Sequence, residues 1–130
     1  MREIFTIDYP KTEAGRKAWA KEYGLNAYYA GKHWSRRQQD AQLWHAMTVS
    51  ALNAAHIRKR PFDKPVVITF CWDDRLDIDN HAAMGKMIVD ALKGRLIRDD
   101  SRRWVKGVCH YFHEQRRIKV IVEEIEGGED

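Results

Sequence analysis

Apolar and polar residues alternate in REIFTIDY, residues 2–9, the two-residue period of a strand with one buried face, and Pro10 stops it. From Thr12 the pattern becomes helical and holds to Tyr23, with Thr12 as a capping side chain and Gly24 as the end. The longest helix is predicted from Ser35 to about Ala55. Leu43, Trp44, Met47, Ala51, Ala54 and Ala55 form its apolar stripe, Arg36, Gln39 and Gln42 lie largely outside it, and Ser35 with Gln38 reads as a capping box. PVVITFCWDD, residues 65–74, is rich in Val, Ile and Phe and predicts a central strand buried on both faces.

Beyond it, Met84, Met87, Ile88, Ala91 and Leu92 recur at spacings of three and four, the signature of one buried helix stripe. Asn80 is the expected N-cap, and Gly94 supplies the left-handed end. Lys86 and Asp90 fall one turn apart on the opposite side. WVKGVCHYFH and RRIKVIVEEI predict two strands joined by a short turn near Glu114, Gln115 and Arg116. The order of strand, two helices, strand, helix and two strands predicts an α+β fold. Residues 1–125 would form a single domain, a mixed sheet of about four strands with two to three helices packed on it. EGGED, residues 126–130, reads as a flexible acidic tail.

Composition narrows the class. A chain of 130 residues with 44% hydrophobic and 32% charged side chains is large enough for a core and too apolar for a disordered segment. No apolar run approaches a membrane span, and MREIFTIDYP lacks a signal-peptide profile. Cys71 and Cys109 sit in apolar strands and are expected to be buried thiols in a reducing cytoplasm. A net charge of +4 does not by itself define a nucleic-acid binder, but the acids gather in two places and leave the remaining surface more basic.

The first gathering carries the candidate chemistry. In an extended segment Asp77 and Asp79, two apart, leave the same face, and a second pair, Asp99-Asp100, follows the helix. Two carboxylates about 4 Å apart repel by roughly 4 kcal/mol at an effective dielectric of about 20. Converged acids therefore need a cation, and Mg²⁺ bound by one or two carboxylates, water and phosphate fits such a set. Helix caps and solvated turns account for the same spacing. Asp73 and Asp74 read as turn residues rather than ligands, and His45 and His56 stand apart from other ligand types.

Cations and aromatics supply the other half of a nucleic-acid site. LNAYYAGKHWSRR, residues 25–37, interleaves Tyr28, Tyr29 and Trp34 with Lys32, His33, Arg36 and Arg37, suiting base faces and phosphates; core anchoring is the other role open to Tyr29 and Trp34. Arg58, Lys59 and Arg60 form a compact basic cluster before Pro61, and Arg75 adds a cation beside the acids.

Asp77-Ile78-Asp79-Asn80, Lys86, Asp90-Ala91-Leu92 and Asp99-Asp100-Ser101 together resemble the RusA-type Holliday junction resolvases, many of them encoded by phages and prophages. Lys86 lies further from Asn80 than is usual there, although its distance to Asp90 fits. The resemblance implies an Mg²⁺-dependent endodeoxyribonuclease, with Mn²⁺ substituting, that acts as a homodimer on four-way DNA junctions in a bacterial cytoplasm. It places the metal ligands on Asp77, Asp79 and Asp100, with Asp99 as the alternate, and the functional lysine on Lys86. Asp90 and Asn80 would support them. A nuclease of flaps or other branched DNA, and an inactive DNA-binding module, are the alternatives.

Overall fold

The computed structural model describes residues 1–125; the expected acidic tail lies outside the described residues. Four strands, β1 (Arg2–Asp8), β2 (Val66–Trp72), β3 (Val105–Phe112) and β4 (Arg117–Glu124), form one mixed sheet in the order β1-β4-β2-β3. Four helices accompany it: α1 (Glu13–Tyr23), α2 (Leu25–Tyr29), α3 (Trp34–Ala54) and α4 (Ala82–Leu92). This is the α+β domain that the chain order predicts. β2 and β3 are parallel and are joined through α4, whereas β4 is antiparallel to both β1 and β2.

One face of the sheet holds the core. Phe5 and Ile7 of β1, Val66, Ile68, Phe70 and Trp72 of β2, and Ile118, Val120 and Val122 of β4 pack there with Trp19, Trp44, Leu52 and the apolar side of α4. At about 25 cal/mol per Å² of apolar surface removed from water, such large side chains dominate the stability of a domain this size. β2 differs from expectation here. Its side chains alternate between buried and half-buried, so the strand is central without being covered on both faces. Cys71 and Cys109, on the less covered face, are half-buried free thiols rather than fully buried ones.

Three local expectations are also revised. The segment 25–37 contains a short helix, α2, rather than a continuous loop. The cap of α3 is His33, whose Nδ1 accepts from the Ser35 backbone N–H at 3.2 Å and lies 2.7 Å from Oγ of Ser35. With Ser35 already inside the helix, no Ser35–Gln38 capping box forms. The buried face of α3 is Asp40, Trp44, Thr48 and Leu52, with Leu43, Ala54 and Ala55 exposed. Two polar residues sit in that stripe because each has a partner. Asp40 is bonded by Tyr28 and ion-paired with Lys32, and Thr48 Oγ1 donates to the Trp44 carbonyl at 2.7 Å. In α4 the predicted stripe holds throughout, since Met84, Met87, Ile88, Ala91 and Leu92 are all buried. Gly94 takes the left-handed φ of 77° that an L side chain resists.

The last two strands are consecutive but unpaired with each other. β2 lies between them, and residues 113–116 step across its C-terminal end. The His113 N–H donates to the Trp72 carbonyl at 3.0 Å, and the Arg116 N–H to Asp73 Oδ2 at 2.7 Å.

Candidate functional site

The parallel β2–β3 pair gives the sheet two chemically distinct edges. Asp77 and Asp79 follow β2 and stand at its C-terminal edge. Asp99 and Asp100 precede β3, where the Val66 N–H bonds the Trp104 carbonyl, and stand at the N-terminal edge. Seven residues of strand separate the edges by about 20 Å at about 3.3 Å per residue. Within one chain the three expected ligands therefore do not meet. Among the described residues no group of three His, Cys, Asp or Glu is placed to hold a metal.

At the C-terminal edge, Asp77 precedes a 3₁₀ turn, Ile78–His81, that leads into α4. Asn80, expected as the helix cap, lies inside this turn, and its N–H donates to the Asp77 carbonyl at 3.0 Å. Asp77 and Asp79 are exposed, and neither carboxylate has a hydrogen-bond or ion-pair partner among the described residues.

Beneath the turn lies a buried polar network that sequence reasoning missed. Asp74 accepts from Tyr9 Oη at 2.8 Å and from the Leu76 N–H at 3.0 Å. His81, fully buried, sets Nε2 2.8 and 2.9 Å from the two Asp74 oxygens and Nδ1 3.0 Å from the Ile78 carbonyl. Both ring nitrogens lie within hydrogen-bond reach of an acceptor, which fixes the ring's orientation. The imidazole stacks on Trp72 with ring centres 4.4 Å apart. Burial, with Asp74 alongside, pushes the Tyr9 phenol far above its ordinary range. The one signal in the sequence was an apolar strand ending in Trp-Asp-Asp with a histidine seven residues beyond the second acid.

Trp72 also donates its indole N–H to His110 Nδ1 at 2.9 Å. Burial first, and the charge of nearby His81 second, push the His110 imidazole below its ordinary value. A depressed folded-state value means that stability from the neutral ring is complete above the ordinary histidine value and is lost as pH falls through the lower one. Thermal unfolding should therefore drop between pH 7 and pH 5, and His110→Gln, which keeps an acceptor but does not titrate, should flatten that drop. Unchanged pH dependence in the variant would remove His110 from the account.

Down α4, Lys86 is 74% exposed and pairs with Asp90 at 3.3 Å. Lys93 bridges Asp90 at 3.5 Å and Asp100 at 3.2 Å. The hydrogen bond from Lys93 holds the Asp100 carboxyl below its ordinary range. Asp90, Lys93 and Asp100 thus form one surface chain of charges at the N-terminal edge.

The expected DNA contacts divide. Tyr28 and Lys32 have internal roles instead. The Tyr28 hydroxyl donates to Asp40 at 2.7 Å, and Lys32 is ion-paired with Asp40 and Glu22 beside the Tyr23 and Tyr28 rings. Arg36 is paired with Glu22 at 2.7 Å, and Arg37 donates to the Tyr28 carbonyl at 3.2 Å. Lys32 and then Arg36 hold the Glu22 carboxyl below its usual range. Tyr29 and Trp34, at 81% and 64% exposure, are surface aromatics rather than core anchors, and His33 is spent as a cap. Arg58, Lys59 and Arg60 are exposed and have no ion pair among the described residues. Arg75 lines a cleft of about 450 Å³ with Arg16, Lys17, Tyr9 and Asp73.

The fold and site together define an α+β domain with an exposed acidic turn at one sheet edge and a basic surface at the other. No protein-family model matches the chain, and a search of curated proteins returns no match. No helix of the described residues is long and apolar enough to cross a membrane.

Proposed function

We propose that this chain is an endonuclease of branched DNA that works as a homodimer, with the four-way junction as its substrate. One observation carries the reading. Asp77 and Asp79 are exposed and unpartnered where the chain leaves its central strand, in the D-x-D-N order of the RusA-type resolvases. Carboxylates left unpaired on a structured turn are available to a ligand at once, whereas Asp100 would first give up Lys93.

Mg²⁺ is the proposed cofactor, with Mn²⁺ substituting, and the described residues of one chain do not present three carboxylates to it. A two-fold axis that sets the C-terminal edge of one copy against the N-terminal edge of the other would bring Asp77 and Asp79 to the partner's Asp100 twice. The four-way junction has the same two-fold symmetry. A divalent ion at such a site would supply charge neutralisation and an activated water. Lys86, on α4 between the two acidic groups, would exchange Asp90 for a DNA phosphate as a mobile point charge.

A second reading, a DNA-binding module without catalysis, rests on the separation of the acids within one chain. Labelled four-way, flap and duplex DNA incubated with the protein in Mg²⁺ or EDTA separates the readings. The expected result is Mg²⁺-dependent, paired cuts in the four-way substrate. Binding without cutting in Mg²⁺ leaves the module, and cutting of flaps alone replaces the substrate.

A further inference from the structure

The basic surface is more unequal than the total charge suggests. Segments 58–64 and 93–106 hold ten Lys and Arg residues against three Asp, a net of +7 where the whole chain carries +4. The structure lays these segments side by side. The Arg60 N–H bonds the Arg95 carbonyl, the Phe62 N–H the Leu96 carbonyl, and the Val66 N–H the Trp104 carbonyl. They make up the β2–β3 half of the N-terminal edge, and the β1–β4 half of that edge sets Glu3, Glu123 and Glu124 against Arg2 and the amino terminus.

Within this half, two guanidinium groups share one indole. Arg98 and Arg103 each lie 5.2 Å from the Trp104 ring centre, and Arg98 also bonds Asp63 at 2.6 Å. Cation–π attraction limits the rotamers of both side chains before any ligand arrives. Arg102 and Arg103 are exposed without an ion-pair partner among the described residues, as are Arg58, Lys59 and Arg60. The cations of residues 32–37 differ, because Glu22, Asp40 and Tyr28 already engage them.

We propose that the β2–β3 half of the N-terminal edge is a docking platform for the backbone of duplex DNA, with Arg102 and Arg103 on phosphates and Trp104 as the strut that aims Arg103. The proposal deepens the reading of the chain as a DNA-acting protein, and it places that docking on a surface distinct from the aromatic segment 25–37. Like charges crowded at a solvent edge repel, and a polyanion with regularly spaced phosphates relieves that repulsion while releasing its own counterions. Arginines on phosphates follow the backbone alone, so recognition would be indifferent to sequence.

Binding of a labelled duplex and a four-way junction in EDTA, over a range of salt concentrations, tests the platform apart from cleavage. Each phosphate that a cation no longer neutralises lowers the slope of log affinity against log salt by about 0.9, so Arg102→Ala/Arg103→Ala should lower it by about two for each platform on the DNA and weaken both DNAs by at least about tenfold. Arg16→Ala/Lys17→Ala, beside the turn at the opposite edge, should leave the slope unchanged. An unchanged slope in the first variant, or a fall only in the second, would overturn the proposal. So would tighter binding of the wild-type protein to anionic lipid vesicles than to DNA. Binding retained without cutting in Mg²⁺ would remove the nuclease reading and leave the platform standing.

Discussion

Asp77→Asn and Asp100→Asn proteins are each expected to leave a labelled four-way junction uncut, and the two co-refolded together are expected to nick it. The reason lies in the parallel pairing of β2 and β3. It sends the first acid pair to one edge of the sheet and the second to the other, about 20 Å away. If the working site joins edges of two copies, a mixed dimer has one site carrying both substitutions and one carrying neither. Random mixing makes half the dimers mixed, so about a quarter of the wild-type sites return. A site contained in one chain gives no such rescue, because every chain in the mixture is then defective. A mixture as inactive as its components would therefore end the two-copy arrangement. Asp79→Asn should match Asp77→Asn in activity and still bind the junction, since neither side chain holds the fold together.

His81→Leu is expected to destabilise the domain by about 3 kcal/mol, the upper end of the cost of leaving a buried polar group without its hydrogen-bond partner. His81 is fully buried and Asp74 nearly so, and the remaining Tyr9 and Leu76 donors would not match the Asp74 charge. Against a typical domain stability of about 5–15 kcal/mol, such a loss is plain in a urea unfolding curve. Asp74→Leu should cost a similar amount. The double substitution should cost less than the two together, because an apolar pair leaves no orphaned charge. If His81→Leu unfolds at the wild-type urea concentration, the network has no share in stability. The effect would reach function through position. His81 closes the turn on the Ile78 carbonyl, so its loss would free the residue between Asp77 and Asp79.

How much of this could be read along the chain follows from the range of the interaction behind each feature. Thr12 capping α1, Gly24 ending it, the apolar side of α4 and the left-handed Gly94 all act within a few residues, and each was legible. The strands were legible as segments too, because alternation is local. What escaped depended on distant partners. Asp40 looks like a solvent residue until Lys32 and Tyr28 close over it. His81 looks isolated until Asp74 and the Trp72 ring surround it. The separation of the two acidic pairs was hidden for the same reason. Their distance along the sequence is short, and only the direction of β3 relative to β2 places them at opposite edges.

The insertion of β2 between β3 and β4 also bears on how the chain reaches its native state. β3 and β4 cannot zip together as a hairpin when they leave the ribosome, since β3 hydrogen-bonds to a strand made about forty positions earlier and β4 to the same strand, made about fifty to sixty positions before it. β1 waits longer still, its Arg2 opposite Glu123 of β4. A nascent chain stopped after Phe112 would expose β1 along its whole length and one side of β2, both open to pairing with other chains. Closure of the sheet is thus deferred until β4 has been made, and long-range pairing of that kind favours slow folding and dependence on chaperones.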